Sequence, residues 1–235
     1  MYFRPLPGFT LLCVPLFAIL VALGVWQLER LQWKLALIAE IQRNMTLPPL
    51  TLDAALALPD ADYRRVSLDG HFLNSKEAYV FTTGVHGEPV YHVLAPFMLG
   101  DGRAVMVDRG FVPPSLRDPA TRAQSVADHI AGVWRRPDRP GPFTPQPDMV
   151  HRVWYARDLA SIAQADHVKL AAPAIVEADA TPNPGGWPEG GQTRVNLPND
   201  HLQYALTWFF LAASLVGVYL AYHRARGRLG LRPKA

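Results

Sequence analysis

His201 is the residue of this chain whose position best suits metal ligation. It follows Asn199-Asp200 and precedes 21 residues without a charge, numbered 202–222. We predict that Asn199 caps the helix that begins here, and the positive end of that helix disfavours a protonated imidazole. His201 is therefore expected to be largely neutral, with one nitrogen free to bind a metal. The alternative is an interfacial histidine that hydrogen-bonds water or lipid headgroups.

Side chains near His201 suit a flat, apolar, carboxylate-bearing ligand. On a helix, His201 shares one face with two aromatic and two small residues, which are Tyr204, Ala205, Trp208 and Ala212. A second, antiparallel helix would bring Trp26, Gln27 and Arg30 to the same depth, where Gln27 needs a hydrogen-bond partner. If a haem lay between the helices, the His201 imidazole would ligate its iron, and its propionates would reach basic groups such as Arg30 or Arg194.

A second polar pair, Asp108-Arg109, lies inside an apolar stretch. Neighbouring residues of a strand point to opposite faces, so these two side chains are not expected to pair with each other. We interpret one of them as a member of a cross-sheet ion pair and Gly110 as a bulge or a close approach of two backbones. Arg109 also remains a candidate for binding a ligand carboxylate, because guanidinium groups suit that role.

The remaining chemistry-bearing residues form no recognisable site. The eight histidines contain no H-E-x-x-H motif and no pair four residues apart. The sequence also lacks the nucleophile-elbow, phosphate-loop and dinucleotide-binding motifs. The single cysteine, Cys13, excludes a disulfide within the chain. We therefore predict a protein that is not an enzyme.

Two apolar runs determine the predicted architecture. Residues 9–28 and 202–222 are uncharged runs of 20 and 21 residues, each long enough to span a bilayer as a helix. The first run is longer than a signal-peptide core and lacks a small-residue cleavage site, which disfavours cleavage, and no organellar transit segment is recognised. We predict transmembrane helices at 9–28 and 199–222, a domain at 29–198 and a basic tail at 223–235.

The charge distribution predicts the orientation. All 20 acidic residues lie within 29–200 together with 17 of the 23 basic residues, whereas the tail carries only positive charge. The positive-inside rule therefore places both termini in the cytoplasm and the central domain outside it. A domain without excess positive charge also argues against nucleic-acid binding.

The central segment is predicted to be rich in strands. Helix is expected to continue over 32–45, up to Pro48-Pro49, with a short further helix at 52–58 and another within 154–164. Strands are expected at 66–72, 78–83, 90–97, 104–107, 129–135 and 174–178. The proline-rich loops at 137–147 and 182–191 are expected to be irregular. The predicted fold class is an α+β membrane protein in which two transmembrane helices flank an extracytoplasmic, antiparallel, β-rich sheet or barrel.

Five segments together resemble one protein family. They are LGVWQLER at 23–30, GHF at 70–72, YHVLAPF at 91–97, VDRGFVP at 107–113 and NDHLQYALTWF at 199–209. In order and spacing, the chain resembles the surfeit locus protein 1 family, the membrane assembly factors of cytochrome c oxidase. The two proline-rich loops look longer than that family suggests.

The resemblance implies a function in the maturation of an aa3-type haem–copper oxidase. It implies that haem a is bound transiently, with His201 as the axial ligand of the iron, and is passed to subunit I. Further partners would be membrane lipid, haem a synthase and other assembly factors, in a bacterial inner membrane with a periplasmic domain. Two alternatives stay open: a cofactor-free scaffold that stabilises an oxidase assembly intermediate, and a membrane-anchored enzyme.

Overall fold

The computed structural model describes residues 2–84, 86–193 and 197–230. Arg194, named above as a basic group for a propionate, and the tail residues Arg232 and Lys234 lie outside the described part. The chain divides into two compact units: one combines Met1–Glu40 with Asn196–Ala235, and the other is Ile41–Val195. We call them the helical unit and the barrel unit.

The described residues form α-helices and strands that we number in chain order. They are β1 (Tyr2–Phe3), α1 (Pro7–Thr46), α2 (Leu52–Ala57), β2 (Arg65–Phe72), β3 (Ala78–Thr83), β4 (Pro89–Leu99), β5 (Ala104–Val112), β6 (His129–Arg135), β7 (Val153–Trp154), α3 (Leu159–Asp166), β8 (Leu170–Ala178), α4 (His201–Ala225) and β9 (Leu229–Gly230).

Helices α1 and α4 are long and apolar enough to cross a membrane. Helix α1 has 40 residues and continues without a break through Pro15 and through the predicted extension at 32–45, ending before Pro48-Pro49. The predicted boundary at residue 28 therefore falls inside α1. Helix α4 has 25 residues and begins at His201.

Small residues bring α1 and α4 together as an antiparallel pair. Gly24 of α1 faces Phe209 of α4, and a methyl group on Gly24 would lie 2.6 Å from that ring. Ala205 and Ala212 are buried on the same side of α4. Side chains without bulk allow the two backbones to approach closely, which is how helices associate in lipid.

In the barrel unit, five strands close into a barrel in the order β2-β6-β8-β5-β4. Closure comes from the pairing of the end of β2 with β4, where Phe72 lies opposite Phe97. Strand β3 extends the sheet beyond β4, and the two-residue β7 pairs with β3.

The sheet is mixed, so the predicted purely antiparallel arrangement is wrong. Strand β8 runs parallel to β5, and β7 runs parallel to β3. Parallel neighbours require a long crossover. Residues 113–169, which contain β6 and α3, supply it between β5 and β8.

Strand β5 is buried on both faces, which explains its continuous apolar sequence. Val105 and Val107 belong to the cluster inside the barrel with Trp134. Met106 points the other way and packs with Ile162 of α3.

Most predicted elements of the barrel unit are confirmed, and differences are confined to their ends. The strands at 78–83 and 129–135 have the predicted bounds, while β4, β5 and β8 are longer than predicted. The 182–191 loop is largely irregular, but Glu189 forms a bridge with Phe111 of β5. Gly110, beside that bridge, has φ +111°, and a side chain there would clash with the Glu189 carbonyl. Of the two predicted explanations for Gly110, a bulge or a close backbone approach, the structure shows the close approach.

Candidate functional site

Gln27 is the hydrogen-bond partner of His201. The Gln27 Oε1 atom lies 2.7 Å from His201 Nδ1. Because an amide oxygen only accepts hydrogen bonds, Nδ1 carries the proton in the neutral ring and Nε2 keeps its lone pair. Within the described residues, Nε2 has no hydrogen-bond partner. An imidazole oriented through one nitrogen and free at the other is the arrangement of a metal-ligating histidine.

The start of α4 differs from the prediction in one detail. The N-cap is Asp200, with no capping hydrogen bond from its side chain, so the prediction of Asn199 as the cap is wrong. The helix begins one residue too late for Asn199 to occupy that position. The Asp200 carbonyl accepts the first intrahelical bond from the Tyr204 N–H, 3.1 Å away.

The helical unit contains a second histidine that serves as a comparison. His223 is fully buried, its Nδ1 donates to the Tyr219 carbonyl at 2.8 Å, and its Nε2 accepts from the Leu6 N–H at 3.2 Å. Both nitrogens of His223 are therefore occupied by backbone groups. Only His201 of this pair has a nitrogen available for a ligand.

The predicted space between the helices is filled by packing. Ala205 has no exposed surface. Tyr204 and Trp26 instead remain 55% and 47% exposed, and Trp208 is half-buried. The exposed aromatic surface lies on the outside of the pair, and the expectation of a ring held between α1 and α4 stays a prediction.

Arg30 lies on the exposed surface of α1. Its guanidinium carbon is 5.7 Å from the centroid of the Trp26 ring and 5.5 Å from that of Trp33. Such distances permit cation–π attraction. Among the described residues Arg30 has no ion-pair partner, so its N–H groups are available for a carboxylate.

Arg109 lies in the barrel unit and is occupied by internal contacts. It is 2% exposed, its Nη1 donates to Glu77 Oε1 at 2.7 Å, and its guanidinium carbon lies 4.8 Å from the Phe72 centroid. Burial lowers the pKa of Arg109, and the neighbouring Glu77 carboxylate opposes that shift. These contacts fit the predicted cross-sheet ion pair. A contribution of Arg109 to cofactor binding stays a prediction.

The Asp108 side chain lies on the face of β5 opposite to Arg109, because successive side chains of a strand alternate between its faces. It has its own partners there. Its carboxylate accepts from His92 Nδ1 at 2.9 Å, from Arg157 Nη2 at 2.8 Å and from the Gly110 N–H at 3.0 Å. Burial raises the pKa of Asp108, but His92 and Arg157 outweigh it, so the pKa lies below its usual value. Arg157 also donates to Glu177 Oε1 at 2.9 Å.

Sequence reasoning missed this cluster because its members are far apart in the chain. Arg157 and Asp108 are 49 residues apart, and Glu77 and Arg109 are 32 residues apart. The available signal was a set of polar residues inside otherwise apolar strands, His92 on β4 and Glu177 on β8. In the described part of the chain, no three His, Cys, Asp or Glu side chains are grouped as a metal site would require.

Comparison with known proteins adds independent information about the family. The model of the SURF1 family matches residues 14–213. Surfeit locus protein 1 of Gallus gallus is 36% identical over 225 residues, covering 87% of this chain and 71% of the relative. The Homo sapiens protein of the same name is 34% identical, covering 87% and 73%. A SURF1-like protein of Rickettsia bellii is 30% identical, covering 93% and 92%. The chain therefore belongs to the SURF1 family.

Proposed function

We propose that this protein is an assembly factor of an aa3-type cytochrome c oxidase that binds haem a and aids its insertion into subunit I. Membership of the SURF1 family supports the assembly function. The observation that carries the haem proposal is the His201–Gln27 hydrogen bond, since it fixes the tautomer in which Nε2 can donate to iron.

The residues of the helical unit fit a haem chemically. Bound haem supplies an iron that takes a nitrogen ligand and two propionates that need cations. His201 would bind the iron, and Gln27 would keep its ring oriented. Trp26, Tyr204 and Trp208 would contact the macrocycle, and Arg30 would bind a propionate.

The proposal includes transient binding of the haem. The aromatic side chains around His201 are partly exposed. A cofactor bound on such an open surface would have few protein contacts to break before it leaves. That property suits a factor that passes its cargo to subunit I rather than one that retains a prosthetic group.

The proposed location is the bacterial inner membrane, with α1 and α4 as its two spans. The Rickettsia bellii relative is bacterial. At the end of α4 lie Arg224, Arg226 and Arg228, and a cytoplasmic position for them follows the positive-inside rule. Both termini would then be cytoplasmic, and the barrel unit would be periplasmic. Lipid, haem a synthase and other assembly factors are the further proposed partners.

The test is the absorption spectrum of detergent-purified protein from cells that make haem a. We expect a Soret band and a reduced α-band in the wild type and their loss in His201→Ala. Gln27→Ala should weaken haem affinity by about 10–100-fold, the usual effect of removing a group that orients a ligand. His129→Ala, which changes an exposed histidine of the barrel unit, is the matched control and should keep the wild-type spectrum.

A cofactor-free scaffold is the second candidate, favoured by the close packing of α1 against α4. If the wild type carries no chromophore while deletion of the gene still prevents oxidase maturation, haem binding is excluded and the scaffold function remains. Turnover of any substrate by purified protein would contradict both candidates and support a membrane-anchored enzyme.

A further inference from the structure

The barrel unit contains a small pocket beside Arg109, and none of the residues proposed to contact haem lines it. Its volume is about 140 Å³, below the roughly 300–1,000 Å³ of typical ligand pockets. Strands β2, β5 and β6 contribute Phe72, Arg109 and Ile130, and two loops contribute Ser125 and Asn183. The pocket therefore admits a small molecule or the end of one side chain.

The buried charges next to this pocket do not balance. Arg109 and Arg122 share the single carboxylate of Glu77 at N–O distances of 2.7 Å, and these three side chains are at most 5% exposed. Arg152 adds a third guanidinium, whose Nε donates to the Glu77 carbonyl at 2.6 Å and whose Nη2 binds Asp166. Three guanidinium groups thus share two carboxylates. An uncompensated charge is costly in a protein interior, and an anion would reduce that cost.

Arg109 is the member of this network that lines the pocket. Its Nη1 binds Glu77, whereas the one hydrogen bond of its Nη2 within the described chain goes to Asn183 Oδ1 at 3.4 Å. That distance exceeds the roughly 2.7–3.2 Å of a normal N–H···O bond, so Nη2 keeps most of its capacity to donate. Asn183 lines the pocket too, which places Nη2 at the pocket wall. Burial lowers the pKa of Arg109, and Glu77 does not fully offset that effect.

Most other polar groups of the pocket wall can donate hydrogen bonds. Ser125 Oγ accepts from a backbone N–H, which leaves the hydroxyl hydrogen to donate. Asn183 Nδ2 gives one hydrogen to a backbone carbonyl at 2.6 Å and keeps a second. Thr181 adds another hydroxyl. One carboxylate, Asp179, also lines the pocket, but its Oδ1 accepts from the Thr181 N–H at 3.0 Å.

We propose that this pocket binds a small carboxylate. The carboxylate accepts from Arg109 Nη2 and from the hydroxyls of Ser125 and Thr181, and its carbon stem lies against Phe72. A planar anion with two oxygens suits a guanidinium better than a spherical ion does. Its charge offsets the excess positive charge of the network around Glu77. The inference does not depend on haem binding.

The pocket's size is compatible with two sources of the carboxylate. One is a free small acid, and the other is an aspartate or glutamate side chain of a partner protein. Both present the same group to Arg109, so the experiment has to distinguish them.

The test is isothermal titration calorimetry of the full-length protein in an uncharged detergent, with probes at millimolar concentration. The probes are acetate and the blocked tripeptide Ala-Glu-Ala, and the uncharged comparisons of matching shape are acetamide and blocked Ala-Gln-Ala. We expect the anionic probes to bind and the uncharged ones not to bind. Tighter binding of the glutamate peptide than of acetate identifies a partner's side chain as the source, whereas equal or weaker binding identifies a free small carboxylate. The proposal is overturned if neither anionic probe binds the wild type, or if the uncharged probes bind equally well.

Variants locate the binding site. Arg109→Met removes the guanidinium and should weaken acetate binding by about 10–100-fold, the usual effect of losing a hydrogen bond to a charged group. Ala127→Leu keeps every charge of the network but adds a larger side chain to the pocket wall, so it should also prevent binding. Arg139→Gln removes an exposed arginine of the same unit that does not line the pocket, and it should leave binding unchanged. Wild-type affinity in a folded Arg109→Met or Ala127→Leu protein would place the ligand elsewhere and reject this pocket.

Discussion

Glu77 is expected to be the charged residue whose loss most destabilises the barrel unit. Its Oε1 accepts from Arg109 Nη1 at 2.7 Å, and its Oε2 accepts from Arg122 Nη2 at 2.7 Å and from the Tyr79 hydroxyl at 2.9 Å. All three charged side chains are at most 5% exposed. One carboxylate thus compensates two buried guanidinium groups.

Loss of the carboxylate and loss of one guanidinium should lower the free energy of unfolding by different amounts. Glu77→Gln leaves two buried cations without a counter-charge, so we expect a loss of about 5 kcal/mol, the upper end for breaking a buried ion pair. Arg109→Met leaves Glu77 bound to Arg122 and Tyr79, so we expect about 3 kcal/mol, the lower end of the same range. A double-mutant cycle of the two changes should give a clear coupling energy, since the two side chains are in contact.

The assay is a urea titration of each full-length variant in detergent, followed by tryptophan fluorescence. Asp69→Asn, at an exposed pair with His129, is the control and should change the free energy of unfolding only slightly. The haem spectrum of the same Arg109→Met protein tests the predicted contribution of Arg109 to cofactor binding: wild-type affinity means that the Arg109 guanidinium pairs with Glu77 and not with haem. Equal stability of Glu77→Gln and the Asp69→Asn control would refute the argument from burial. A lost haem spectrum in folded Arg109→Met would support the prediction that Arg109 contributes to cofactor binding.

Three further changes test other parts of the structure. Gly24→Leu should separate α1 from α4, because a side chain there meets the Phe209 ring; cysteine cross-linking between the helices in membranes should fall sharply. Gly110→Ala should cost more than about 2 kcal/mol in the unfolding titration, since it combines a positive φ with a clash at the Glu189 carbonyl. The lowered pKa of Asp108 means that its contribution to stability is full above the ordinary carboxyl pKa of about 3.9 and is lost as the pH falls through the folded value. Asp108→Asn should therefore lower stability at neutral pH and remove part of the wild type's loss below about pH 4, and an unchanged acid profile would contradict this assignment.

The chain's local patterns were enough to predict its long helices and its longer strands, but not the two-residue strands β1, β7 and β9. Uncharged length predicted both long helices, and alternation predicted the strands at 78–83 and 129–135 with the bounds they have. Gly110 was predicted at a bulge or a close backbone approach, because a glycine inside an apolar strand usually marks one of these two features. The five segments that resemble the surfeit locus protein 1 family predicted the membership that the comparisons then established.

Tertiary structure alone decided which distant residues meet. The parallel pairing of β5 with β8 and the closure of β2 on β4 depend on how the chain crosses the barrel, and alternation along a strand carries no information about that path. The partners of Asp108 and Arg109 likewise come from other strands and loops. The sequence positions of Asp108 and Arg109 therefore predicted only that these two side chains lie on opposite faces of their strand. The antiparallel arrangement of the two apolar helices did predict that Gln27 would lie at the same depth as His201. The 2.7 Å hydrogen bond between them, which leaves one imidazole nitrogen free, required the close packing of α1 on α4 through small residues that only the folded chain reveals.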